Sequence, residues 1–395
     1  MRIVIAPDSF KGSLTAVEAA RAMAEGVKLV DPDAEVVLSP MADGGEGTVE
    51  AVVESVEAAE ERHAMVSGPL PDRNVRATWA YIPADAPLTV KPEDEPYALL
   101  QQGVATAVIE MAQASGYNLV PPRKRDPFNT TTYGTGQLIH EALDAGCRQI
   151  IVGMGGSATV DGGIGMANAL GFNFLDGRGR ELPPVGGSLT KVRSIDASGR
   201  DGRLTGVHFI AATDVDNPLV GAQGAARVFG PQKGATPDQV KVLERGLANV
   251  GTLIAGQGLD VLDLPGAGAA GGLGAGMAAF CGASIVRGVR LIAAVTGLRE
   301  KVAGVDLVLT GEGSYDGQTE RGKTPAGVGE IAEQAGVPTV VLAGAVAGND
   351  HHLPAFCVLP GPTSLGQAMK EARPLLVVGT ARLIRLLYLF KDTGD

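Results

Sequence analysis

The residues best able to do chemistry recur in one setting: polar side chains among glycines, directly after short apolar runs. Asp8, Ser9 and Lys11 follow Ile3-Val4-Ile5-Ala6, and Asp43, Gly44, Gly45 and Glu46 follow Glu35 to Leu38. Ser157, Thr159 and Asp161 lie in the stretch Gly153 to Gly163, after Gln149-Ile150-Ile151-Val152. Asp214 and Asn217 follow Val207 to Ala211, Gln232 and Lys233 come later, and Glu312 and Asp316, then Lys323, follow Asp306 to Leu309. Any one Asp or Ser in such a place is as readily a helix N-cap, and an isolated glycine pair is often only a turn. Recurrence argues for more, because capping calls neither for so many carboxylates nor for lysines among them. Phosphoryl transfer uses such parts: backbone N–H groups and lysines for phosphates, carboxylates for magnesium, and a carboxylate to take a hydroxyl proton.

Two glycine-rich stretches bear on where phosphate would be held. Gly153 to Gly163 follows a strand pattern and precedes a helix pattern, so its N–H groups could approach an anion at a helix N-terminus. No Gly-Lys-Ser/Thr ends it, so it is not a Walker A loop. Gly153-Met154-Gly155-Gly156-Ser157-Ala158 is a dinucleotide fingerprint only with Ala in the last glycine's place, and no acidic residue follows at the ribose distance. Pro265 to Gly274 contains Gly266, Gly268, Gly271, Gly272 and Gly274. Such a run marks either close backbone approach to a ligand or tight helix packing.

These loops need elements to carry them, and the pattern supplies strand, loop and helix in alternation. Ile3 to Ala6 reads as a strand, and Thr15-Ala16-Val17-Glu18 as a capping box that starts a helix with Val17, Ala20, Ala24 and Val27 on one face. Glu35 to Leu38 is a second strand, followed by a helix through Val49, Val52, Val53 and Val56. This alternation predicts a parallel sheet covered by helices, with ligands at the carboxyl ends of its strands. From His63 to Pro96 prolines become frequent, and Thr78 to Ile82 alternates like a half-exposed antiparallel strand. Gly103 to Ala114 reads as a helix ended by Gly116, and Leu138 to Leu143 as another. Thr236-Pro237-Asp238-Gln239 joins a capping box to a proline at the first helical position. The last third returns to the opening style, with strands at Asp306–Leu309, Thr339–Leu342 and Phe356–Leu359 and a packed final helix from Leu375 to Phe390. The chain ends are expected to form one α/β lobe, 1–62 plus 285–395, with 63–284 inserted as a second and the active site in the cleft between them.

Composition narrows the function. A length of 395 residues suggests two or three domains. Aromatic residues are scarce at 4% and the net charge is −11, which argues against a nucleic-acid partner and requires any phosphate to be held by a local site. No apolar run approaches the length that spans a bilayer, and the first residues lack a signal-peptide core. Cys147, Cys281 and Cys357 have no metal or redox spacing, which fits the cytoplasm. The five histidines share no metal spacing, His351-His352 reads as a solvated loop, and Arg123-Lys124-Arg125 as an exposed one. Glycine is the outlier at 56 residues, about twice the usual share, and it clusters in the loops described above.

With those loops laid out, nearly the whole chain resembles the type-1 glycerate kinase family. The resemblance is carried by Ala6 to Leu14, Pro40 to Thr48, Gly155 to Gly163, Asp214-Val215 with Asn217-Pro218-Leu219, Phe229 to Ala235, Pro265 to Gly274, and Thr310 to Gly313 with Asp316, Gln318 and Thr319. The family pattern usually has Asn where Val160 stands, and an arginine-led segment where this chain has Ser314-Tyr315-Asp316-Gly317. The resemblance implies a flavodoxin-like parallel-sheet domain with a second α/β domain inserted in it. It also implies ATP with Mg2+, D-glycerate as acceptor, and 2-phosphoglycerate as product.

The site expected on this reading is divided between the lobes. Asp8, Lys11, Asp43 and Asp214 are the catalytic candidates, with Asp43 the first choice for the base and Asp214 the next. Ser9, Lys11, Gly44, Gly45, Glu312 and Asp316 are expected on glycerate, Lys11 on its carboxylate. Gly155, Gly156, Ser157, Thr159, Asp161, Asn217, Lys233, Gly268, Gly271 and Gly272 are expected on the nucleotide, and Asp161 and Asp214 on magnesium. Partners are confined to glycerate and ATP, with no membrane and no nucleic acid, and a homodimer is one option for assembly. The alternatives are a glycerate 3-kinase, a kinase of another small hydroxy acid, an NAD-dependent hydroxy-acid dehydrogenase, and an organic-acid-binding protein without turnover. The dehydrogenase would want a cleaner fingerprint, and the binding protein a secretion signal.

Overall fold

Two β-sheets carry the architecture in the computed structural model, which describes residues 1–86, 99–316, 324–348 and 352–391. The first sheet is built from the chain ends: β1 (Arg2–Ile5), β2 (Glu35–Leu38), β11 (Leu307–Tyr315), β12 (Thr339–Val346) and β13 (Ala355–Cys357). Its order is β13-β12-β11-β1-β2, with every pairing parallel. Counted along their own sequence these strands run 2-1-3-4-5, the flavodoxin order, and the order reverses between β1 and β11. Asp8 follows one of those two strands and Glu312 lies on the other.

The second sheet has the order β10-β9-β6-β5-β4-β3. Its strands are β3 (Glu60–Ser67), β4 (Asn74–Ile82), β5 (Thr106–Glu110), β6 (Gln149–Gly153), β9 (His208–Ala212) and β10 (Ser284–Val286). The four from β5 to β10 are parallel, and β4 runs antiparallel to both β3 and β5, as the Thr78–Ile82 alternation predicts. A small antiparallel hairpin, β7 (Asn173–Leu175) with β8 (Ser194–Asp196), stands apart.

One element departs from expectation. Residues 103–114 are not a helix: Thr106–Glu110 is strand β5, wholly buried between β4 and β6, and only Met111–Ser115 is helical. A short apolar run has no face, so periodicity does not separate a central strand from a buried helix. The β-branched Thr106, Val108 and Ile109 decide for the strand. β11 also continues through Gly311-Glu312-Gly313 to Tyr315, so Glu312 stands on a strand. Val160 is fully buried in the second sheet's core, and Tyr315 is buried against Val341 and Ala343, so neither departure from the family pattern opens a polar position at those two residues.

Helices cover both faces of each sheet. Ile3, Ile5, Leu307 and Leu309 pack under the Ala16–Lys28 helix and the final Ala372–Lys391 helix, while Val4, Ala6 and Val308 pack under helices between 288 and 334. The Thr15 and Thr236 capping boxes both form. The Gly288–Val295 helix serves both sheets. Its Val289, Ile292 and Ala293 enter the first sheet's core, and its Leu291, Ala294 and Val295 enter the core of the second. Among the described residues no helix is long and apolar enough to cross a membrane.

Candidate active site

The carboxyl ends of the two sheets meet in close backbone contact. Gly155 N, just after β6, donates to Gly44 O, in the loop after β2, at 3.2 Å, while Met154 N extends the β6–β9 pairing to Ala212 O at 3.0 Å. A Cβ on Gly155 would lie 2.4 Å from the Gly45 Cα, and one on Gly44, whose φ is +84°, would lie 2.8 Å from the Ala212 carbonyl oxygen. Glycine is therefore required here for close approach of one sheet's loop to the other. Gly288 closes the same junction, since a Cβ there would meet the Asp43 carbonyl oxygen at 2.0 Å.

Three carboxylates gather at this junction. Asp8 follows β1, and its N–H donates to Gly311 O of β11 at 2.8 Å. Its Oδ1 accepts from Ser9 N and its Oδ2 from Thr324 Oγ1, both at 2.6 Å. Burial, and then repulsion from Asp43, push the Asp8 carboxyl above its usual range, while Lys11 acts in the opposite sense. Asp43 Oδ1 accepts from Gly45 N at 2.9 Å. Asp214 Oδ1 accepts from Gly288 N at 2.9 Å, but its Oδ2 is buried without a hydrogen-bond partner. Burial, and then repulsion from Asp43, lift the Asp214 pKa to about 7. Asp43 thus lies within electrostatic reach of two other carboxyl groups, one from each sheet. Lys11 is exposed beside this group, next to Gly313 of β11. Glu312 and Asp316 are half-buried at the same end of the first sheet.

The expected nucleotide residues divide. Gly156 is exposed in the left-handed region at φ +72°, and its carbonyl accepts from Tyr117 N at 2.7 Å. Lys233 is buried, and its Nζ donates to Ser157 Oγ at 2.6 Å and Thr159 O at 2.8 Å, so it ties the glycine loop from beneath. Burial lowers its pKa to about 7. Asn217 Nδ2 donates to Gln223 O at 2.8 Å, and its carbonyl accepts from Gly268 N at 2.9 Å. Gly271 and Gly272 lie in a left-handed kink at the start of the Ala269–Cys281 helix, packed on Thr159 O and on the Gly162 Cα. Their contacts are those of the packing alternative, because chain fills the space around them.

Asp161 also differs from its expected place. It is fully buried, and Oδ2 accepts from Thr132 N at 2.7 Å and Thr132 Oγ1 at 2.8 Å, while Oδ1 accepts from Gly163 N at 3.1 Å. A cation would have to displace those donors, whereas Asp214 has an oxygen to offer. Among the described residues, no three His, Cys, Asp or Glu side chains are grouped to hold a metal ion. Arg123 and Lys124 are exposed, but Arg125 is half-buried with its guanidinium 3.6 Å from the centre of the Tyr117 ring. Gly317, Gln318, Thr319, Lys323 and His351 lie outside the described residues.

Three contributors escape a reading of the sequence: Thr324 on Asp8, Gly288 on Asp214, and Glu110 at the end of β5. Thr324 had a usable signal, since Thr-Pro marks a helix start. Gly288 and Glu110 had none, because their partners are distant in sequence.

Comparison with known proteins gives the family. The sequence model of the glycerate kinase family matches residues 3–388. A glycerate kinase of Halalkalibacterium halodurans is 46% identical over 381 residues, 95% of each chain. The glycerate 2-kinase of Escherichia coli K12 is 44% identical over 379 residues, 94% of each chain. A crystal structure of a protein assigned as glycerate kinase 2 from Salmonella typhimurium LT2 superposes with a TM-score of 0.83 at 43% identity, covering 99% of both chains. This chain belongs to the glycerate kinase family, enzymes that phosphorylate a hydroxyl group.

Proposed function

We propose that the protein transfers the γ-phosphoryl group of ATP to the 2-hydroxyl of D-glycerate, giving 2-phosphoglycerate and ADP in the cytoplasm. The observation that carries this reading is the row Asp8–Asp43–Asp214, drawn from both sheets, with Lys11 beside it. The chain ends form the glycerate side and the inserted segment the nucleotide side, with the boundary moved from 62/63 and 284/285 to residues 59/60 and 286/287 so that β3 and β10 stay whole in the second sheet. Lys11 pairs with the glycerate carboxylate, and Ser9, Glu312 and Asp316 line the same edge. Gly44 and Gly45 let the chain pass close beneath. Asp43 accepts the hydroxyl proton as the glycerate oxygen bonds to the γ-phosphorus and the bond from phosphorus to the ADP oxygen breaks. Thr324 donates to Asp8 Oδ2 and fixes that carboxyl group beside Asp43.

On the other side, Gly155, Gly156 and Ser157 face the phosphates, with Lys233 supplying charge from under the loop; Thr159, fully buried with its hydroxyl on Ala270 O and its carbonyl on Lys233, supports the loop instead of meeting the nucleotide. Asn217, Gly268, Gly271 and Gly272 hold that loop's neighbours in place. Asp214, with its unpartnered buried oxygen, fits a magnesium ion that keeps its remaining sites for water and phosphate. Asp161 is left out of the metal set because its oxygens are engaged. When bound, the ion would neutralise charge on the β- and γ-phosphate oxygens.

Phosphorus NMR of the protein with D-glycerate, ATP and magnesium tests the proposal. A new phosphomonoester doublet, requiring both substrates, is the expected result. A triplet would move the product to 3-phosphoglycerate. No phosphomonoester from D-glycerate, L-glycerate or tartronate would refute the substrate assignment.

A further inference from the structure

Glu110 is a buried carboxylate that the proposed chemistry does not use. It ends β5, where it pairs in register with Gly153 of β6, and it is 2% exposed. Ionised side chains are seldom placed so deep without a fixed partner. Its Oε1 accepts from Val49 N at 2.7 Å, and its Oε2 accepts from Gln113 Nε2 at 3.4 Å. Val49 is the second residue of the Thr48–Ser55 helix, whose N-cap is Gly47 at φ +92° with no side-chain cap. The amide that a capping Ser or Asp would satisfy is therefore satisfied by a residue of the second sheet. At the opposite end of the same helix, Lys301 Nζ donates to Ser55 O at 3.3 Å. Carboxylate at the amino end and ammonium at the carboxyl end both match the helix dipole.

A short chain of contacts leads from this anchor to the reacting group. Thr48 Oγ1 donates to Gly45 O at 2.8 Å, and Gly45 N donates to Asp43 Oδ1 at 2.9 Å. Between them, Gly44 O accepts from Gly155 N. The loop that presents Asp43 is thus tied at one end to the glycine loop of β6 and at the other to the start of the helix. Gly44 and Gly47 have no side chain to add a tie, and both have positive φ. Without Glu110, the Val49 amide would lose its side-chain acceptor, and the helix start would rest on the contacts of Thr48, the exposed Thr15–Glu50 hydrogen bond and the apolar packing of Val49 and Val52.

We propose that Glu110 is a positioning residue for phosphoryl transfer: it anchors the start of the Thr48–Ser55 helix and thereby holds Asp43 between Asp8 and Asp214. The kinetic part of this inference rests on the reaction proposed above. Burial lifts the Glu110 pKa to about 6, with the Val49 and Gly47 amides opposing and Glu46 adding to the rise, so an assay at pH 8 keeps it ionised.

Glu110→Gln retains an acceptor and removes the charge, Glu110→Ala removes both, and Lys301→Met perturbs the far end of the same helix. At pH 8, kcat with glycerate should fall about tenfold in Gln and about a hundredfold in Ala, the scale of a misplaced reacting group. KM for ATP should stay within about twofold in both. Amide exchange of residues 44–50, followed by mass spectrometry, should quicken in the same order. Lys301→Met, at the far end of the same helix, should leave kcat in place. Faster exchange with unchanged kcat, unchanged exchange in Ala, or a KM for ATP rising with the loss of kcat would each overturn the proposal. A wild-type protein that turns over no glycerate would overturn the reaction instead, and the exchange result would still decide whether Glu110 anchors the loop.

Discussion

Replacing Asp214 by Asn should stabilise the protein above neutral pH while removing its turnover. Asp214 carries a buried oxygen with no partner and faces Asp43. In the unfolded chain its proton leaves near pH 3.8, and in the folded protein near 7. The folded state therefore bears no ionisation cost below pH 3.8, a growing cost between the two values, and the full cost above 7. That cost is about 4 kcal/mol at pH 8 and about 2 kcal/mol at pH 5. Asn removes it, keeps an oxygen for the Gly288 N–H, and turns an amide N–H toward Asp43 where an oxygen had been. For a chain of 395 residues the gain corresponds to about 5 °C in Tm at pH 8 and about 2 °C at pH 5. Thermal unfolding of both proteins at the two pH values, without nucleotide or magnesium, measures it. ATP with magnesium should then raise the wild-type Tm more than that of the variant, because the charge lost is the one proposed to hold the ion. An Asn variant no more stable than wild type at pH 8, or a difference that does not widen from pH 5 to pH 8, would refute the reasoning. In that case Asp214 is not held at a cost, and its open oxygen is no argument for a cation.

Three further outcomes are expected. Asp43→Asn should lower kcat by about 10²–10⁴ with little loss of Tm, since it relieves repulsion on both flanks; turnover close to wild type would exclude Asp43 as the base. Lys11→Ala should raise KM for glycerate at least about tenfold and leave KM for ATP unchanged, because an exposed ammonium on a small carboxylate is a binding contact; equal effects on both substrates would place Lys11 elsewhere. Lys233 is largely neutral at pH 8 because burial lowers its pKa from 10.5 to about 7, so nearby phosphates should draw a proton onto it. Calorimetry of ATP binding in buffers of different ionisation heat should show proton uptake by wild type and none by Lys233→Met, and equal uptake would separate Lys233 from the nucleotide.

Much of the fold is legible along the chain because its signals are local. The Thr15 and Thr236 capping boxes, the apolar runs of β1, β2, β6 and β9, and the glycine loops after them all depend on residues within a few positions of one another. The same locality misleads at Thr106–Glu110, where the run is too short to show a face and burial on both sides decides for a strand. The candidate site divides along that line as well. Asp8, Asp43 and Asp214 are recognisable as polar residues at strand ends, and the structure brings all three together. Asp161 has the same signature and is instead consumed by Thr132 and Gly163.

What the sequence determined by itself is the class of parts: a family, an α/β pattern, carboxylates and lysines among glycines at the ends of strands. Only the tertiary structure decided which carboxylates share a space and which have an oxygen left to offer. Gly288, Thr324 and Glu110 reach Asp214, Asp8 and the start of the Thr48–Ser55 helix across long stretches of chain, and no spacing rule connects such pairs. The physical reason is that a carboxylate's charge state and free valence are set by what burial places around it. Local sequence fixes the backbone's turns, whereas desolvation and hydrogen bonding at a junction of two sheets depend on both sheets at once.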